Sequence, residues 1–263
     1  MAEPSERNLD EQFIESQFPR FWPHFYNLGS FAEKFCEQAA SSEHSAVVLM
    51  QTKVLWDRFR AVILLAGNIE GPSAIILYRS LIELAASIVY LAQDAARLPE
   101  FLDAGVKVTY EVIETFGLEP AKLAIIKSDY DGVRAKYPPN KNWNAGWHGF
   151  AKRALFAAIG FDAPGGTEFY KLVYPESSDI MHGGAMLTTC YTQGRGWYQQ
   201  IRSEQWKEYS AQALAASYIV VIETFTRVNR ILTLGFDGEL APILAICQPV
   251  AERLYEQRPI DVR

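Results

Sequence analysis

Cysteine is scarce in this sequence: Cys36, Cys190 and Cys247 are the only three among 263 residues. Their odd number and wide spacing, with no CxxC pair, argue against a disulfide framework and against the usual zinc spacings. They suit a reducing cytosol, where thiols pack as small hydrophobes. Positive charge is in deficit as well. Twenty-five Lys and Arg face 31 Asp and Glu, a net charge of −6. A chain this acidic does not coat nucleic acid by general phosphate attraction, although a local basic patch is compatible with the total.

Long hydrophobic runs are missing too. The most apolar stretch, Ala74 to Ala92, is interrupted by Arg79 and Glu83, and Tyr209 to Ile222 is short and stops at Glu223. A membrane-crossing helix needs about 20 mostly apolar residues, so no span and no membrane partner are expected. The opening MAEPSERNLDEQFIESQF is polar and acidic, unlike a secretory signal. A cytoplasmic protein is the expectation. Motifs are as sparse: there is no P-loop, no Gly-rich dinucleotide turn and no G-x-S-x-G elbow. The pair of Glu-x-x-His motifs that a di-iron bundle requires is absent, so neither metal nor cofactor is expected.

What is present is helical periodicity. Ser42 and Glu43 open a helix whose apolar positions Val47, Val48, Trp56, Phe59 and Leu64 recur at helical spacing up to Gly67-Asn68. Gly71-Pro72-Ser73 starts a second, reaching about Asp94, because Pro is tolerated in a first turn whose N–H groups lack intrahelical partners. Further helices are expected over Leu98–Phe116, after Glu119-Pro120, over Trp147–Ile159, Glu168–His182, Ser203–Leu234 and Glu239–Tyr255. Tyr137 to Asn142, with two prolines, is a loop. Alternating β-branched segments, repeats and flexible linkers do not occur. The expectation is all-α: a single helical domain over residues 1–263, a globular bundle of about eight helices, with 1–20 loosely attached.

Two polar motifs interrupt this apolar pattern. The helix containing Arg79 and Glu83 is apolar nearly all round and belongs inside a bundle, yet these two charges share one face, with Ser80 and Ser87 beside them. Burial demands a partner or access to water, so they form either a structural ion-pair hub or a pocket in which Arg79 binds a phosphate. The second motif spaces Tyr174, Ser178 and His182 four residues apart, after Tyr170, with Pro175 fitting a helix start. At the C-terminal end of that helix, His182 is placed either for acid–base chemistry near neutral pH or simply to lock the helix end. Between Leu118 and Arg153 seven Lys and Arg oppose three acids, and Tyr130, Tyr137, Trp143 and Trp147 are interleaved. Cations among aromatics hold single-stranded nucleic acid; the alternative is a solvated loop whose tryptophans cap the core.

Taken together, Arg79-Ser-Leu-Ile-Glu83, the Trp143/Trp147 segment and Tyr174-x-x-x-Ser178-x-x-x-His182 resemble an uncharacterised bacterial all-helical domain family, over residues 46–190. That family carries an R-S-L-x-E helix followed by Y-x-x-x-S-x-x-x-H. More distantly the pattern is similar to the HEPN superfamily (higher eukaryote and prokaryote nucleotide-binding). The resemblance implies RNA or nucleotide as ligand, a homodimer or a protein partner, and a role in toxin–antitoxin or phage-defence systems. It also implies a metal-independent ribonuclease. In that reading His182, Arg79 and Glu83 are catalytic, and Tyr174, Ser178, Trp143 and Trp147 bind. One departure is plain: HEPN nucleases carry Arg, then four to six intervening residues, then His on one helix, and none of His24, His44, His148 or His182 has an arginine at that distance, Arg20 preceding His24 with three residues between.

Overall fold

The computed structural model describes residues 15, 18–19, 22–117, 120–138, 147–148, 155 and 204–256. These residues form seven α-helices and no strand. Helix α1 (Trp22–Cys36) is absent from the sequence expectation; it buries Leu28, Phe31, Ala32 and Phe35, spaced three or four apart. Helix α2 (Glu43–Gly67) begins at a reciprocal cap: Ser42 Oγ accepts from the Ser45 N–H, and Ser45 Oγ accepts from the Ser42 N–H at 2.9 Å. Its C-terminus is a Schellman turn, with the N–H groups of Glu70 and Ile69 donating to the carbonyls of Leu65 and Ala66. Ile69 takes the left-handed position there, at φ 60°, which glycine usually occupies.

That turn reverses the chain into α3 (Gly71–Ala92), where Pro72 occupies the first turn as expected. The helix stops two residues before Asp94, because the Asp94 carboxylate instead caps a 3₁₀ turn (Ala95–Arg97) by accepting from the Ala96 N–H at 2.9 Å. Helix α4 (Leu98–Phe116) ends at Gly117, at φ 78°. Helix α5 (Pro120–Lys136) folds back against it. Helices α6 (Glu204–Leu232) and α7 (Asp237–Glu256) complete the set. Asn229 is buried at their junction; its Oδ1 accepts from the Phe236 N–H at 2.9 Å and its Nδ2 donates to Asp237 Oδ1 at 3.0 Å. Of the two helices expected between residues 147 and 182, Trp147 and His148 form a turn instead and Leu155 is helical; Glu168–His182 lies outside the described residues.

Helix α3 lies at the centre, packed most extensively against α6 and α2. Fourteen of its 22 residues are buried, so its near-continuous apolar surface has neighbours on most sides. By length and composition alone it is long and apolar enough to cross a membrane, but most of it is buried within the protein. Gly71 sets the approach of α3 to α6. A methyl group there would lie 2.7 Å from Tyr209 Cβ and closer still to the Trp206 carbonyl oxygen, so only glycine lets the two first turns touch. Helices α1 and α7 close the outer side through a cluster of Phe31, Phe35, Phe225 and Phe236, with ring centroids 4.9–5.8 Å apart.

Candidate functional site

The polar band across the middle of α3 is built from two helices. Arg79 is buried, at 8% exposure, and its Nε lies 3.4 Å from Glu83 Oε1, one turn along the same helix. The Glu83 side chain is 28% exposed, so the pair reaches solvent at its carboxylate end. Such an arrangement lowers the cost of holding a guanidinium among apolar side chains, and neither residue lacks a partner. The sequence placed these two charges on one face of a buried helix, and there they are.

Arg58 is the member that sequence reasoning missed. Because α2 and α3 are antiparallel about the turn at Ile69, Arg58 meets the α3 turn that carries Arg79 and Glu83. Its Nη1 donates to Ser80 Oγ at 3.0 Å and to the Ser80 carbonyl at 3.2 Å. Asp57, its neighbour in sequence, pairs with Lys53 at 3.1 Å instead. Among the described residues no carboxylate comes within 4.0 Å of the Arg58 guanidinium. Among the described residues the band therefore sets two guanidiniums, Arg58 and Arg79, beside one carboxylate, Glu83, an arrangement that suits an anion. A weak signal existed: Arg58 falls three residues after Leu55 and four before Val62, at the edge of the buried stripe. Its partner, however, is 22 residues away, and only the turn geometry identifies it.

Tyr174, Ser178, His182 and Trp143 lie outside the described residues, so the structure describes Arg79 and Glu83 together but not their relation to the Tyr–Ser–His motif. Trp147 is described. Its ring packs edge-on against Phe101 at 5.4 Å and tilted against Tyr90 at 5.5 Å, and it is partly buried against the core. His148 sits edge-on to Tyr90 at 6.1 Å, while the Arg97 guanidinium lies 3.7 Å over the Tyr90 ring.

The basic stretch is partly neutralised within the fold. Lys127 pairs with Asp131, and Lys136 donates to both oxygens of the buried Asp103 at 3.0 and 3.1 Å. Tyr137 donates to the same carboxylate at 2.8 Å; burial, then this hydrogen bond, pushes its phenol up to about 12. On the facing turns Tyr110 stacks on Tyr130 at 4.3 Å and donates to Glu114 at 2.7 Å, and that hydrogen bond pushes Tyr110 up to about 12. Cys36, packed against the core, is pushed up to about 12 by burial, so it is a thiol rather than a thiolate.

A second concavity lies away from this band. Between α1, α6 and α7 opens a cleft of about 560 Å³, with Phe31, Tyr218 and Ile243 among its floor residues. His24, Asn27, Ser30 and Lys34 line one wall from α1, and Gly238, Glu239 and Pro242 the other from α7. Lys34 and Glu239 form an ion pair between these two walls. Among the described residues no three His, Cys, Asp or Glu side chains gather as a metal set. Comparison of the chain with protein-family models, with characterised proteins and with solved structures finds no match.

Proposed function

We propose that this chain is a cytoplasmic, HEPN-like helical protein that binds the phosphate of a nucleotide or RNA at the polar band of α3. The observation that carries the reading is the second guanidinium: Arg58, with no carboxylate within 4.0 Å among the described residues, is held by Ser80 on the same α3 turn as the Arg79–Glu83 pair. A phosphate satisfies two guanidiniums at once, where a carboxylate has already satisfied one. Glu83 positions Arg79 and keeps its buried charge compensated. In the catalytic form of the proposal, His182 is the general acid or base of a metal-independent RNA cleavage, and Arg79 stabilises charge developing on phosphorus. Tyr174 and Ser178 complete the hydrogen-bond shell, Trp143 and Trp147 stack bases, and the protein works as a homodimer in a defence or toxin system.

The test is binding and cleavage of a 5′-phosphorylated RNA oligonucleotide. Arg58→Ala weakens binding by about tenfold, the size of one charge-assisted hydrogen bond of about 1.5 kcal/mol. His182→Ala abolishes cleavage while preserving binding. Equal affinity in wild type and Arg58→Ala sinks the phosphate site; cleavage that is absent from both proteins, or equal in wild type and His182→Ala, sinks the catalytic form.

A second reading rests on a specific observation, the burial of Arg79 to 8% exposure. In it the Arg79–Glu83 pair is an internal tie, and the protein is a non-enzymatic module that binds a protein partner. It predicts that Arg79→Ala lowers stability by about 3 kcal/mol or more, because Glu83 loses its compensating charge, and that RNA binding is absent.

A further inference from the structure

Helix α4 divides its surface into three faces. Asp103 and Tyr110 turn toward α5, where Tyr110 stacks on Tyr130 and Asp103 accepts from Lys136. Glu100, Lys107, Glu111 and Glu114 form a charged face, on which Lys107 and Glu111 pair at 2.6 Å. The third face carries no charge. Leu102, Gly105, Thr109 and Val112 fall on it at steps of three, four and three residues. All four are exposed, Leu102 at 43% and Val112 at 49%. At about 100° per residue, this row lies on the opposite side of the helix from the charged face. Its spacing is that of a coiled-coil seam, where two rows of side chains interlock. An apolar row left in water beside a charged face marks an interaction surface.

Two features select a second copy of this chain as the occupant. The first is shape. Gly105 leaves a gap in the row, with open space beyond its α-carbon, and Thr109 projects one turn further on. Leu102 and Val112 lie three residues outside these two, one at each end. An antiparallel pair about a two-fold axis therefore seats Thr109 in the gap at the partner's Gly105 and, in the same register, brings Leu102 onto the partner's Val112. The second feature is charge. Helix α4 carries four acids against one lysine, so two copies repel wherever their carboxylates meet. Those carboxylates are on the far side, and the uncharged rows meet without opposing them. A charged partner, by contrast, finds no countercharge on this face. The row runs for about 15 Å, so the contact stays below the roughly 800 Å² per partner of a standard interface, and association depends on concentration. We infer that two copies of this chain pair antiparallel through the uncharged face of α4. The inference rests on the proposed function only for the homodimer, to which it assigns a surface.

Sedimentation equilibrium of the full chain over a range of concentrations tests this, and wild type is expected to pass from monomer to dimer. Gly105→Lys fills the gap and charges the centre of the row, and the open space there lets the single chain tolerate it. It is expected to raise the dimer dissociation constant by about tenfold or more. Val112→Lys, exposed at the end of the row, produces the same loss by a second route. Met50→Lys, at an exposed apolar position on α2, is expected to change the constant by less than about twofold. Under mild oxidation, a mixture of Leu102→Cys and Val112→Cys chains is expected to give more disulfide-linked dimer than either chain alone. A wild-type chain that stays monomeric up to about 1 mM overturns both this inference and the homodimer of the proposed function. A dimer that withstands Gly105→Lys and Val112→Lys, or Leu102→Cys cross-linking chiefly to itself, overturns the α4 pairing alone and leaves that homodimer standing.

Discussion

Helices α2, α3 and α6 and the hairpin of α4 and α5 are alike in secondary structure, yet they bury very different shares of their surface. Helix α3 has neighbours on most sides and buries 14 of 22 residues; in α5, Val133 is the one buried residue over 121–136. On the hairpin, large apolar side chains face water: Val108 is 56% exposed and Ile125 66%. The two regions are also held by different forces. In the centre, close packing and area removed from water dominate, and buried polar side chains are few. In the hairpin, a stacked tyrosine pair and the Asp103 carboxylate, gripped by Lys136 and Tyr137, join two helices that bury little. The lesson is that a charge in the centre is held by its environment, whereas the hairpin is held by its charges.

Glycine gives the largest contrast. Gly71→Ala drives a methyl group into backbone and Cβ atoms that cannot rotate away, and should cost about 3 kcal/mol or more in a urea melt. Gly132→Ala, in open space in the middle of α5, should instead stabilise by about 0.5–1 kcal/mol. If both substitutions had the same sign, the two regions would not differ as described.

Large-to-small changes come next. Phe225→Ala removes the ring that joins α6 to Phe31 and Phe35, and should cost about 3–5 kcal/mol. Val108→Ala, more than half exposed, should stay within about 0.5 kcal/mol. Asp103→Ala strips the acceptor from Lys136 and Tyr137 and should cost about 1–3 kcal/mol. Hydrogen exchange should place that loss in α4 and α5 and leave the amides of α3 protected; spread evenly over all helices, it would show that the hairpin does not act as a separate unit.

Alkaline pH separates the regions through Cys36 on one side and Tyr110 and Tyr137 on the other. Each group is neutral when protonated, and folding raises it, from 9 for the thiol and 10 for the phenols, to about 12. The folded state thus binds these protons more tightly than the unfolded state. Their contribution is complete below pH 9 and is lost as pH rises to about 12. Melting temperature should therefore fall over pH 9–12, and Tyr137→Phe should fall less steeply above pH 10; an unchanged slope would remove Tyr137 from the account. The smallest effect is expected at Ile69. Replacement by Gly relieves its left-handed backbone and should gain about 1 kcal/mol or less, net of the added unfolded-state entropy.

Much of this architecture could be read before folding was considered. Ser42, Gly71-Pro72 and Gly117 are local signals, and each marks a helix end to within a residue. Helix α1 escaped because Pro19, Pro23 and Gly29 resemble turn punctuation, while its reward lies in distant partners: Gly29 faces Trp56 and Phe35 faces Phe225. The α1–α7 cleft escaped for the same reason, since Lys34 on one wall and Glu239 on the other are 205 residues apart. The Arg79–Glu83 pair was legible because both residues lie on one helix, four positions apart.

The sequence by itself determined most of the helices, the placement of two charges on the most apolar of them, and the poverty of cysteine and metal-binding motifs. These follow from periodicity, capping and spacing, which act over a few residues. Only the tertiary structure decided that Arg58 joins those charges, that Lys136 and Tyr137 share Asp103, and that Lys34 and Glu239 pair between the walls of one cleft. Those depend on which helix faces which, and that choice is made by the packing of whole surfaces rather than by local sequence.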